Sequence, residues 1–119
     1  MIFFDSYALL ELIWGSENYK RFKEEVIVSN TLNLSEVIYA LLKYSTEGEV
    51  RKLMNRVQIN FLDITEEIAF KSALFRKKNK SKKLSYADCL GYITAMETGM
   101  SFLTGDKEFE GLKNVEFVK

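Results

Sequence analysis

The chain has 119 residues, 47% of them hydrophobic, and its 17 basic and 17 acidic side chains cancel to a net charge of +0. That balance describes one globular domain with enough chain to bury a core, excludes a disordered polypeptide, and leaves no global field announcing a nucleic-acid partner. There is no histidine, which excludes Ser-His-Asp and Cys-His catalysis, and the single cysteine, Cys89, has no partner for a disulfide or a zinc site and reads as a small core residue. Carboxylates are then the only strong anionic metal ligands, a set that favours hard cations such as Mg²⁺ or Mn²⁺. No apolar run approaches the roughly 18 residues that cross a bilayer. MIFFDSY lacks a basic region before its short apolar stretch, so a cytoplasmic protein with no membrane partner is expected.

In chain order, IFF at 2–4 is consistent with a buried strand, and SYALLELIW predicts a helix after it. ENYKRFKEE at 17–25 predicts a short amphipathic helix, and VIVS at 26–29 a β-branched strand. NLSEVIYALLKY reads as a strongly apolar helix, GEVRKLMNRV as another, and QINFLDI at 58–64 as a third strand. Thr65 is placed to cap the helix EEIAFKSALFRKK. Arg76, Lys77, Lys78, Lys80, Lys82 and Lys83, across the end of that helix and the loop after it, place six cations in eight positions without an acid, either plainly solvated or able to track phosphates. Ser85 opens a helix to about Thr98 that is apolar on nearly every side, with one carboxylate, Asp88, in its first turn. SFLT at 101–104 and VEFV at 115–118 complete five strands. No proline, low-complexity tract or repeat divides the chain, so residues 1–119 are expected to form a single domain. Short apolar strands separated by helices predict an α/β fold with a parallel sheet covered on both faces.

Parallel sheets bind ligands at the carboxyl ends of their strands, near the point where strand order reverses. Asp5 directly follows IFF, and Asp106 follows SFLT after Gly105. If those strands are neighbours, both carboxylates reach one edge of the sheet, and helices that begin at that edge add Glu36 and Asp88 from their first turns. Acids so gathered repel one another and raise each other's pKa values unless cations intervene. Each also has a plainer reading. Asp5 and Asp106 can cap the segments they precede, while Asn33 to Glu36 and Ser85 to Asp88 have the spacing of capping boxes. Glu36 is the weakest of the four, since Asn33, Ala40 and Lys43 share its face and suggest that the face is solvated. Ser6 and Thr104 lie beside the acids as hydrogen-bond donors, with Tyr7 and Ser85 close by. Lys43 and the basic stretch, Lys80, Lys82 and Lys83 in particular, are candidates for phosphate contacts.

Taken together, the apolar strand ending in Asp5-Ser6, NLSEVIYAL with Glu36, LSYADCLGYITA with Asp88 and FLTGDKEFEGL with Asp106 resemble the PIN-domain family, and especially its small VapC-like toxins. The resemblance implies a three-layer α/β/α sandwich with a five-stranded parallel sheet. It implies a Mg²⁺- or Mn²⁺-dependent endoribonuclease, the toxin of a toxin–antitoxin pair, with Asp5, Glu36, Asp88 and Asp106 as the acidic metal site. It also implies a homodimer and neutralisation by a small DNA-binding antitoxin; Ile13, Trp14, Leu41 and Leu42 are the apolar residues a dimer would cover. The chain departs from the family pattern at Gly105, where many relatives carry Arg or Asn, and its nearest acid after Asp106 is Glu108. Two other readings stand beside this one: a catalytically silent binding or assembly module whose acids are only caps, and an RNA-processing nuclease outside any toxin system.

Overall fold

Strands of three or four residues suffice here because the central ones are apolar on both faces. Phe3 and Phe4 are fully buried, as are Phe102 and Leu103. Successive strand side chains point to opposite faces, so each of these pairs feeds a core on either side of the sheet. In the computed structural model, which describes all 119 residues, the elements run β1 (Ile2–Phe4), α1 (Ser6–Trp14), β2 (Ile27–Ser29), α2 (Thr31–Leu42), α3 (Glu47–Arg56), β3 (Ile59–Phe61), α4 (Glu66–Lys78), α5 (Tyr86–Thr98), β4 (Ser101–Thr104) and β5 (Val115–Phe117). Every strand pair is parallel, in the order β3-β2-β1-β4-β5. Phe4, Leu103 and Val118 pack with Ala8, Leu9, Val37, Leu41 and Val50 from α1, α2 and α3. Phe3, Val28 and Phe102 pack with Cys89, Tyr92 and Ala95 of α5. This is the expected α/β/α sandwich.

The chain moves outward from β1 through β2 to β3, then crosses back to place β4 on the other side of β1. Right-handed crossovers running in opposite directions put α1–α3 on one face and α4–α5 on the other. Strand order therefore reverses between β1 and β4, the two strands followed by Asp5 and Asp106.

Several elements differ from expectation. Residues 17–22 form a 3₁₀ turn rather than a nine-residue amphipathic helix, because Tyr19 and Phe22 are both buried, and residues three apart eclipse in a 3₁₀ turn. β3 keeps only Ile59–Phe61, an edge strand with exposed Asn60 and Phe61. Of the basic run, Arg76, Lys77 and Lys78 form the last turn of α4, as the helix pattern through Lys78 predicts, where cations meet the negative end of the helix dipole. α2 starts earlier than expected, at Thr31, with Asn30 as its cap. Leu41 is buried in the core, whereas Trp14 and Leu42 are 54% and 44% exposed. No helix is long and apolar enough to cross a membrane.

Candidate active site

Each aspartate of the site is positioned by the helix or turn it begins. Asp5 follows β1 and caps α1, its Oδ1 accepting the Ala8 N–H at 2.8 Å. It is only 3% exposed. Beside it, Asp106 caps the 3₁₀ turn Lys107–Phe109 by accepting the Glu108 N–H at 3.0 Å, while its own N–H donates to Thr104 Oγ1. Asp88 and Ser85 form a reciprocal capping box at the start of α5: Ser85 Oγ accepts the Asp88 N–H at 3.1 Å, and Asp88 Oδ2 accepts the Ser85 N–H at 2.8 Å. The capping reading is thus realised for all three.

They are nevertheless brought together. Asp5, Asp88 and Asp106 line one cleft of about 440 Å³ at the carboxyl edge of the sheet, with Lys83, Lys107 and Lys119. Burial, above all, pushes the Asp5 carboxyl up to about 7; the Thr104 hydroxyl and the Ala8 N–H pull it down, and the charges of Asp88 and Asp106 push it further up. Asp88 is also raised, first by burial, against the bonds from Ser85, with Asp106 and Glu36 adding repulsion. No three acidic side chains close on a common point as they stand. Each cap turns its carboxylate toward its own helix or turn. In kind, however, the donors fit a hard divalent cation, being crowded carboxylates whose repulsion such an ion relieves.

Glu36 does not line this cleft. It is exposed in the second turn of α2, and the Asn33 to Glu36 capping box does not form, because Asn30 Oδ1 already accepts the Asn33 N–H. Asn33 is not on a solvated face either: it is 1% exposed. Its Oδ1 accepts the Ser6 N–H at 3.0 Å and faces the Ser6 hydroxyl at 2.8 Å, and that hydroxyl also faces Glu36 Oε1. A hydroxyl carries one proton, so Ser6 serves one of these acceptors at a time. Ser6 therefore ties Glu36 to the start of α1, one residue from Asp5, and Thr104 sits buried between Asp5 and Asp106.

Glycine lets this region close. A Cβ on Gly91 would come within 3.1 Å of Asn33 Nδ2 and 3.2 Å of Phe3, so a bare Cα allows α5, and with it Asp88, to lie against the β1–α2 edge. At Gly105 a Cβ would fall 2.1 Å from Tyr7 Cε1. The Tyr7 ring occupies the space that a side chain needs there. We expect Gly105→Ala to destabilise the fold by about 1–3 kcal/mol, as overpacking does. In a Tyr7→Ala background the same change is expected to be nearly neutral, so a double-mutant cycle by thermal denaturation should show coupling; additive effects would contradict the clash.

The basic candidates divide. Lys83 lines the acid cleft, and Lys82 reaches it by donating to Glu108 O at 3.0 Å. Lys80 lines a neighbouring cavity instead. Lys43 is not brought to the site: it caps the C-terminal end of α2, a helix of about 18 Å that starts at the carboxyl edge and runs away from it. Lys107, Lys119 and Asn33 were missed by sequence reasoning. Lys107 adjoins Asp106, and Lys119 lies two residues beyond β5, which neighbours β4, so strand register was the available signal.

Solved structures share this architecture. A toxin–antitoxin complex from Klebsiella pneumoniae matches with a TM-score of 0.77 at 24% identity, covering 98% of this chain and 96% of that one. VapC20 of Mycobacterium tuberculosis, a toxin that cleaves the sarcin-ricin loop, matches with a TM-score of 0.79 at 15% identity over 99% and 97% of the two chains. VapBC2 from Rickettsia felis, bound to a fragment of its promoter DNA, matches with a TM-score of 0.74 at 18% identity over 100% of each. No curated protein matches by sequence. The PIN domain model matches residues 2–115, nearly the whole length, and the chain belongs to the PIN domain family.

Proposed function

We propose that this protein is a divalent-metal-dependent endoribonuclease that hydrolyses RNA phosphodiester bonds, acting as the cytoplasmic toxin of a toxin–antitoxin pair. The observation that carries the reading is the convergence of Asp5, Asp88 and Asp106 from separate segments on one cleft where strand order reverses, with Asp5 pushed up to about 7. Capping alone does not require three caps to share a cleft. Family membership and the toxin–antitoxin context of the Klebsiella and Rickettsia structures support the biological setting.

Asp5, Asp88 and Asp106 would hold Mg²⁺ or Mn²⁺, with Glu36 completing the site through its link to Ser6. A divalent ion held there supplies Lewis-acid chemistry at a phosphoryl oxygen. The chain's own part is to place the phosphate. Lys83, Lys107 and Lys119 line the cleft and offset phosphate charge without reading sequence. Thr104 steadies Asp5 and the backbone of Asp106 together, so the two strand ends act as one support. A small DNA-binding antitoxin is the proposed protein partner, and a second copy of the chain is the proposed dimer partner, with half-exposed Trp14 and Leu42 available to such a contact.

One observation favours the rival reading of a silent module: each of the three aspartates already has an N–H to accept. Cleavage assays separate the two. Purified protein is expected to cut RNA, lose activity in EDTA and regain it with Mn²⁺. Asp88→Asn, whose amide oxygen still accepts the Ser85 N–H and so keeps the helix start, is expected to abolish cleavage. Activity indifferent to EDTA and to Asp88→Asn would remove the site assignment. Inhibition by the product of an adjacent gene for a small DNA-binding protein tests the toxin setting.

A further inference from the structure

Beyond the acid cleft, the end of α4 and the start of α5 enclose a second cavity of about 420 Å³. Arg76, Lys77, Lys80 and Lys82 line it together with Tyr86, and no acidic residue does. Arg76 Nε donates to Leu84 O at 3.1 Å, which fixes a guanidinium whose carbon lies 4.2 Å from the centre of the Tyr86 ring. That ring, at the first position of α5, is 67% exposed and belongs to neither core cluster. An aromatic ring is thus held in place by a cation while most of its surface faces water. Packing does not account for it.

The two cavities adjoin through Lys82 and Glu108. Lys82, in the basic cavity, donates to Glu108 O, and Glu108 lines the acid cleft. Lys83 lines the acid cleft, and Asp88 stands two residues after Tyr86. A strand with its phosphate at the aspartates therefore has a neighbouring positive surface with an exposed ring on it.

We propose, resting on the ribonuclease reading above, that this cavity seats a nucleotide of the single-stranded RNA flanking the scissile phosphate, its base stacked on Tyr86 and its backbone phosphate met by Lys77 and Lys80. An aromatic face accepts any base, and lysines accept phosphate without regard to sequence, so the subsite tolerates sequence but requires an unpaired nucleotide. A base inside a duplex has no free face to offer. An acidic protein segment would satisfy the lysines and leave the ring unused.

The test uses a short single-stranded RNA carrying 2-aminopurine, bound to the full chain in EDTA so that none is cut. Binding is expected to quench the 2-aminopurine fluorescence. Tyr86→Ala should abolish the quench and weaken affinity by at least about fivefold, the low end of base–aromatic stacking, whereas Tyr86→Phe should retain both. Lys77→Ala with Lys80→Ala should leave the quench at saturation and lower the slope of log affinity against log salt by about 1.4, the value for losing two single-strand phosphate contacts. An unchanged Tyr86→Ala variant, or an unchanged slope, overturns the inference. So does poly-glutamate that displaces the RNA and whose own binding is lost in Lys77→Ala with Lys80→Ala but unchanged in Tyr86→Ala, which would assign the cavity to an acidic protein segment. If the wild type shows the Tyr86-dependent quench but cuts no RNA with Mn²⁺, the ribonuclease reading fails alone; if it cuts RNA and Tyr86→Ala changes nothing, the subsite fails alone.

Discussion

Asp5→Asn is expected to make the metal-free protein gain stability relative to wild type as pH rises from 5 to 8, by about 2–3 kcal/mol. The sign follows from the proton balance. Burial raises the folded carboxyl from 3.8 to about 7, so between those values the folded state holds a proton that the unfolded chain has released. Stability from this group is complete below the unfolded pKa and is lost as pH climbs through the folded one. Asp88, raised for the same first reason, adds to the same slope in both proteins. An Asn at position 5 still offers an oxygen to the Ala8 N–H, so the helix cap survives while the titration disappears. Urea denaturation of both proteins in EDTA at pH 5 and pH 8 gives the difference directly, and a constant gap would show that Asp5 does not titrate as its burial requires. Mn²⁺ should then restore wild type at pH 8 by mass action and do far less for Asp5→Asn. A structural cap that never sees a cation predicts no such rescue.

The balance of function against stability at Asp5 also explains what could be read in advance. Local signals were strong where a cap and an apolar period coincide: Thr65 begins α4 and Ser85 begins α5, with both helices ending where their sequence patterns end. The acids at the ends of IFF and SFLT were legible because a polar residue directly after a short buried strand has few places to go. That β1 and β4 are neighbours is long-range information, carried by the pairing of Phe3 with Phe102 and Phe4 with Leu103, and no local pattern encodes it. The start of α2 was obscured for a different reason. Asn30 and Asn33 are both good caps and stand three residues apart; tertiary burial, not propensity, makes Asn30 the cap and frees Asn33 to bind Ser6. The basic run is split because Arg and Lys are good helix formers, so α4 runs through Lys78, as its pattern predicts, before the chain turns. Asp88, the one carboxylate of a helix apolar on nearly every side, is partly buried at the helix start and held by the N–H of Ser85, with Lys83 on the same cleft.

Asn33→Ala should reveal whether the buried amide network supports the site or only the fold. Its Oδ1 accepts the Ser6 N–H, and its N–H and Nδ2 both donate to Asn30 Oδ1, at 2.8 and 2.9 Å. Truncation removes the acceptor for a partly buried N–H and leaves Asn30, whose Nδ2 is already without a partner, with one bond fewer. An unsatisfied buried donor costs about 1–3 kcal/mol, so a loss of about 2–4 kcal/mol is expected once the vacated volume is included. Stability alone does not identify a positioning role. The second reading is Mn²⁺ affinity by titration calorimetry well below the melting temperature: with the Ser6 N–H no longer held by Asn33, the start of α1 beside Asp5 is tied to α2 only through the Ser6 hydroxyl and Glu36, and affinity should fall about 10–100-fold, as for other supporting residues behind metal ligands. Thr65→Ala is the control, since it removes an exposed cap remote from the cleft for about 1 kcal/mol and should leave Mn²⁺ affinity unchanged. If Asn33→Ala unfolds more easily yet binds Mn²⁺ like wild type, the amide network serves the fold alone, and Glu36 owes nothing to it.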